Sequence, residues 1–212
     1  MIRKMAVPAA LTLMLATGCA GGDPAPAAAP TTSASPTASP VTPGPPWYDE
    51  VPPAEAGITI GDSNSGCDLP ITFSIPAGWR VKQIPAKAKL KVGRVTLSCE
   101  IDAKPAGLVG FLRVWTVDER LRTDAKTEVS DFVTEYAQDD QATYRRTKAG
   151  PLDSVEASYV QQGIDGKPNP QRAIAVRAIL GDVVVTVGGM DAEEFQSLLP
   201  GFQLAKRSVK RR

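Results

Sequence analysis

Hydrophobic and polar positions alternate along the middle of the chain in a way that predicts strands. In ITFSI (Ile71 to Ile75) the apolar Ile71, Phe73 and Ile75 face one way and Thr72 and Ser74 the other, as in a half-buried strand. RVTLSCEID repeats the pattern, with Val95, Leu97, Cys99 and Ile101 expected on one face. LVGFLRVWTV (Leu108 to Val117) is apolar on both faces and fits a central strand covered on both sides. The period then changes. In DAKTEVSDFVTEYAQ, Ala125, Val129, Phe132, Val133 and Tyr136 recur at three and four residues, predicting an amphipathic helix with Asp124 as its N-cap. ATYRRTK, SVEASYVQQ and QRAIAVRAIL return to strand character, the last two joined through the turn formers of DGKPNP. Gly181-Asp182 separates RAIL from VVVTV as a two-residue hairpin signal. DAEEFQSLLP opens a short last helix with Asp191 and Glu194 in a capping-box arrangement, and Pro200 is expected to end it. Sequential hairpins with helices among them favour an antiparallel β-sheet packed by helices, the α+β class.

The first residues carry a different pattern. MIRKM is basic, and AVPAALTLMLA (Ala6 to Ala16) is an apolar run too short to span a bilayer, where about twenty residues are needed. It suits a signal peptide, residues 1–18. Ala16-Thr17-Gly18-Cys19 then resembles a bacterial lipobox, with Ala16 in place of the preferred leucine. Cys19 is accordingly the expected lipidation site, carrying acyl chains such as palmitate, which anchor far more firmly than a single myristoyl chain. An ordinary secretory signal with an incidental cysteine is the alternative. Residues 19–65 read as a Pro/Ala/Ser/Thr-rich tether, because AGGDPAPAAAPTTSASPTASPVTPGPP has almost no large apolar residue to bury. Trp47 and Tyr48 interrupt it. They are expected to dock on the flank of the domain, the alternative being a partner-binding segment.

Composition narrows the chemistry. Lysine and arginine number 24 against 23 acidic residues, and loss of Arg3 and Lys4 with the signal leaves 22 against 23. That balance gives no support to nucleic-acid binding. The chain contains no histidine, which removes Ser-His and Cys-His catalysis and His-ligated zinc. Cys67 and Cys99 remain after Cys19, in a chain expected outside the cytoplasm, and are expected to form a disulfide. Closing that loop is worth about 4 kcal/mol on the chain-entropy model.

ITIGDSNSGCDLP raises the one nucleophile question. Gly61-Asp62-Ser63 resembles the GDS block of the SGNH esterases, but a nucleophilic Ser63 needs a base, and neither a histidine nor an S-x-x-K dyad is present. A polar turn is the better reading. The acidic pairs Asp118-Glu119, Asp139-Asp140 and Glu193-Glu194 fall at element ends, where caps and turns are expected rather than a glycosidase pair. DGKPNPQ lacks the spacing of a calcium loop. Lys87, Lys89, Lys91 and Arg94 alternate as a positive face of an extended segment, and Lys206, Arg207, Lys210, Arg211 and Arg212 make 206–212 a basic tail. Each could meet an anionic surface, or could simply be a solvated edge and a frayed end.

FSIPAGWRV near the domain start, the VGFLRVWTV strand ahead of an amphipathic helix, and a final helix running into LLPGFQL resemble actinobacterial lipoproteins with a PsbP-like fold, the LpqN type in particular. The resemblance spans roughly Gly66 to Leu204 and implies an antiparallel sheet sandwiched by helices, residues 66–205, and a usually non-enzymatic role at the cell envelope. The expectation is therefore an extracytoplasmic lipoprotein, lipid-anchored through Cys19 at the outer face of the cell membrane. It would serve as an accessory or protein-interaction module without catalytic residue, metal or cofactor. Its partner would be an envelope protein or a small ligand. A lipid or small-ligand carrier is the alternative, and a histidine-free hydrolase through Ser63 stands behind both.

Overall fold

A computed structural model of the chain divides into Met1–Pro40 and Val41–Arg212. It describes residues 46–212 apart from 89, 136, 138–141 and 164. The expected signal peptide, Cys19, Tyr136, Lys89 and Asp139-Asp140 lie outside the described residues.

The strands are β1 (Ala56–Ile60), β2 (Ile71–Pro76), β3 (Arg80–Gln83), β4 (Lys91–Val92), β5 (Val95–Asp102) and β6 (Phe111–Val117). Helix α1 (Ala125–Thr134) follows, then β7 (Thr143–Ala149), β8 (Leu152–Gln162), β9 (Pro168–Val176) and β10 (Val183–Gly188), then α2 (Ala192–Ser208) and β11 (Lys210–Arg211). One large antiparallel sheet has the order β3-β5-β6-β10-β9-β8-β7, with β4 also pairing β5. Helix α1 carries the chain across one face from β6 to the far edge at β7, and the meander β7-β8-β9-β10 returns to pair with β6. The other face is covered by α2 and by the small sheet β1-β2-β11. Among the described residues no helix is long and apolar enough to cross a membrane.

Two apolar layers result. Val129, Phe132 and Val133 of α1 pack with Trp115, Ala157, Tyr159, Ala173 and Val184 on one face. Phe195, Leu198, Leu199 and Phe202 of α2 pack with Leu112, Val114, Ile174 and Val185 on the other. β6 contributes to both, as its two apolar faces require.

Four expectations are corrected. First, β5 does not keep its apolar residues on one face. Its register with β6 shifts between Leu97 and Cys99, because Ser98 is an extra residue there. Val95 and Leu97 therefore join the α1 layer, while Cys99 and Ile101 join the α2 layer, where Cys99 is disulfide-bonded to Cys67 at a Cα separation of 5.7 Å. Second, β9 ends at Val176, so 177–182 form a loop rather than a two-residue hairpin. The buried Asp182 carboxylate accepts from the Ala178 N–H (3.1 Å) and from Arg122 (2.7 Å), and this turns the chain before the ladder resumes. Third, α2 continues through Pro200 to Ser208. Burial of Phe195, Leu198, Leu199, Phe202 and Ala205 outweighs the hydrogen bond lost at proline, a penalty of about 3 kcal/mol. Gly201 next to it lets the Trp79 ring lie on the helix, since a Cβ there would stand 2.5 Å from the ring.

The fourth concerns both ends of the domain. The tether was expected to reach residue 65, but Tyr48 and Val51 pack on the core, Ala54 N–H donates to the Pro200 carbonyl (2.9 Å), and β1 pairs β2. Nor are residues 206–212 a frayed basic tail. Lys206 closes α2 in a buried ion pair with Glu156 (2.9 Å), Val209 is in the core, and Lys210 and Arg211 pair with β2.

Candidate functional site

Helix α1 covers the β8–β9 side of its face and leaves a groove of about 360 Å³ beside it. Five strands supply the floor at positions whose side chains point to the same face: Leu97 and Glu100, Arg113 and Trp115, Tyr159 and Gln161, Gln171, and Thr186 with Gly188. Phe132 of α1 and Leu90, ahead of β4, form the sides. The Ser98 bulge is what sets Glu100 opposite Arg113, and the two form an ion pair at 2.8 Å. The charges at this end of the groove therefore compensate each other. Trp115 Nε1 donates to Thr186 Oγ1 (3.3 Å), fixing the indole in the wall.

Gln171 is only 6% exposed, lines the groove, and makes no side-chain hydrogen bond among the described residues. Gly188 makes room for it, because a Cβ at 188 would stand 1.6 Å from Gln171 Oε1. Two residues earlier on β9, Asn169 donates through Nδ2 to the Gly189 carbonyl (2.8 Å) and leaves its Oδ1 buried without a partner. A buried acceptor left open as Asn169 Oδ1 is costs roughly 1–3 kcal/mol, whereas the Gln171 carboxamide opens onto the groove.

Two clusters of buried charge flank the sheet. On the α2 face, Glu156 pairs with Arg172, Lys206 and Arg145, while Asp49 pairs with Arg145 and Lys206. Burial alone would raise the Glu156 pKa, but the surrounding Arg172 and Lys206 hold it below its usual value. Burial likewise opposes ionisation of Asp49, and its bonds to Arg145 and Lys206 outweigh that. Trp47 stacks on the Arg145 guanidinium at 4.3 Å, and Tyr48 meets Phe195 edge-on. At the start of α1, Glu128 is fully buried and accepts from the Thr123 N–H (3.1 Å), and its second oxygen has no hydrogen-bond partner among the described residues. Burial, aided by the nearby Asp182, pushes its pKa up to about 7.

The residues singled out from sequence are dispersed. Ser63 is exposed in the turn after β1 and does not line the groove. Asp118 caps a short 3-10 turn through the Arg120 N–H, and Asp191 caps α2 through Glu194. Asp165 bonds the Lys167 N–H within the β8–β9 turn. The expected positive face is broken up: Lys87 lies in a 3-10 turn, Lys91 in the short β4, and Arg94 pairs with Asp131 of α1. Among the described residues no group of acidic or cysteine side chains is placed to hold a metal. Sequence reasoning assigned none of the groove residues to a site, and placed Leu97 and Phe132 only as apolar-face positions. The available signal was polar Gln161 and Gln171 at positions that continue the inward-facing series of Tyr159 and Ala173.

No curated protein matches this chain in sequence. Among solved structures, the solution structure of cyanobacterial PsbP (CyanoP) from Synechocystis sp. PCC 6803 is similar. Its TM-score is 0.46 and its sequence identity 11%, over 73% of this chain and 92% of that chain. Residues 37–209 match the model of a family described as "Uncharacterised lipoprotein". With a match over most of its length, the chain belongs to that lipoprotein family.

Proposed function

We propose that this lipoprotein is a non-enzymatic binding protein of the cell envelope. It is held at the outer face of the cytoplasmic membrane by acyl chains on Cys19 and takes a small ligand into the groove beside α1. The observation that carries the reading is Gln171, a largely buried residue whose carboxamide has no partner among the described residues and faces a groove whose volume falls within the range of small-ligand sites. Of the two modes of binding expected from the sequence, this favours the carrier over the protein-interaction module. The lining also suits holding rather than reacting: its charges are paired, its other polar groups are two amides, two hydroxyls and an indole N–H, and Ser63 lies elsewhere.

A protein partner is favoured by a different feature. Ile179 and Leu180 are exposed at the tip of the 177–182 loop, flanked by Arg177. Native mass spectrometry of the lipoprotein extracted from its own membranes separates the two. A small added mass, lost in Gly188→Leu where the new side chain fills the Gln171 end of the groove, is the expected result. The bare acylated chain, or a co-purifying protein indifferent to that substitution, would overturn the carrier reading.

A further inference from the structure

Two carboxamides, Gln161 and Gln171, line one end of the groove, and Asn169 lies next to them on β9 without lining it. Gln161 of β8 lies opposite Asn169 of β9, and Tyr159 lies opposite Gln171. Asn169 gives one N–H to Gly189 and retains a buried acceptor, while the Gln171 carboxamide has no hydrogen bond among the described residues and offers both donor and acceptor to the groove. A ligand that displaces solvent from such groups must return the same donor and acceptor pair. Beside them the Leu97 side chain and the ring faces of Trp115 and Tyr159 supply apolar surface. The Glu100–Arg113 pair is closed on itself at 2.8 Å, so the site calls for no net charge.

From this juxtaposition we infer that the groove binds the acetamido group of an N-acetylated sugar. That group joins an N–H, a carbonyl and a methyl in one small planar unit. The first two complement the Gln171 carboxamide, and the methyl meets this apolar surface. Ring hydroxyls then reach Gln161 and the polar edges of Glu100 and Arg113. A volume of about 360 Å³ suits a mono- or disaccharide. A peptide offers the same amide, but peptide strands are read through the open hydrogen bonds of a sheet edge, and this groove lies on a sheet face. The inference rests on the groove being the binding site, as proposed above.

The test follows the side-chain amide resonances of Gln171 and the indole resonance of Trp115 in the full mature chain, held in detergent. N-acetylglucosamine and its β-1,4 dimer are titrated, with glucose and cellobiose as controls lacking the acetamido group. Saturable shifts are expected with the acetylated sugars, and at least about tenfold weaker binding with the controls, the worth of one good hydrogen bond. Gln171→Leu, at an unchanged unfolding midpoint, is expected to weaken the acetylated sugars by a similar factor. Equal binding of glucose and N-acetylglucosamine, or indifference to Gln171→Leu, would overturn the sugar assignment. If N-acetylalanine amide moves these resonances and the sugars do not, the ligand class is wrong and the groove stands. If none of these probes moves them, and the native mass is that of the acylated chain, both readings fall.

Discussion

Glu128 is a carboxyl group placed where charge is costly. It occupies the first turn of α1, which favours an anion, yet it is fully buried with one oxygen unpartnered and with Asp182 nearby. Thr123, Asp182, Arg122 and Arg177 surround it, and the two arginines are already committed to Asp182, at 2.7 Å and 3.6 Å. Its pKa is raised to about 7 from 4.5. Between those values the folded protein keeps a proton that the unfolded chain has released, so this residue's contribution to stability falls as pH rises through that window. Glu128→Gln supplies a permanent amide donor in nearly the same shape. Urea unfolding should then show the variant gaining on the parent between pH 5 and pH 8 by something on the order of 3 kcal/mol. A constant difference across that range would mean that Glu128 is ionised in the folded protein.

At the scale of elements, the bulge in β5 sets how the two faces of the sheet are divided. If Ser98 is the extra residue, deleting it leaves Val95 and Leu97 facing α1 and Cys99 and Ile101 facing α2, because the strand becomes regular. The expected loss is the hydrogen bond between the Ser98 and Thr116 hydroxyls (2.8 Å), about 1 kcal/mol, with the Cys67–Cys99 disulfide retained. Loss of the disulfide on non-reducing mass mapping would refute this account. The same strand shows what was legible beforehand. Alternation marked β5 as a strand, and the two-sided apolarity of β6 marked it as central. The bulge was not legible, because both faces of the sheet are covered by apolar layers and the alternation reads on unbroken across it. Pro200 was read as a stop because that rule is local, whereas the burial that carries α2 past it is tertiary. The groove drew its lining from five strands whose pairing order is not their chain order, so only its inward glutamines left a trace in the sequence.

At the scale of the whole domain, one buried ion cluster closes both ends of the described chain. From the N-terminal side, the Pro46 carbonyl accepts from Arg172, and Asp49 pairs with Arg145 and Lys206. From the C-terminal side, Lys206 reaches Glu156, Arg207 donates to the Asp49 carbonyl (2.6 Å), and Gln203 donates to the Tyr48 carbonyl (2.9 Å). Beyond them Val209 fills the core, and Arg212 donates to the carbonyls of Gly61 (3.0 Å) and Leu69 (2.9 Å). Glu156 stands at the centre, fully buried, and breaking a buried pair on one side leaves an uncompensated charge that costs about 3–5 kcal/mol. Because its pKa is depressed, the stability it contributes is present above its unfolded value of about 4.5 and is lost as pH falls below it, the opposite sense to Glu128. A mature chain ending at Ala205 loses Lys206, Val209 and β11 together. It should lose at least about 3 kcal/mol in urea unfolding, and limited proteolysis should begin to cut near Trp47 and Val51, which the missing residues no longer hold. A basic end that served only to touch an anionic surface would give the reverse: weaker binding to anionic vesicles, an unfolding midpoint within about 2 °C of the parent, and an N-terminal segment still resistant to protease.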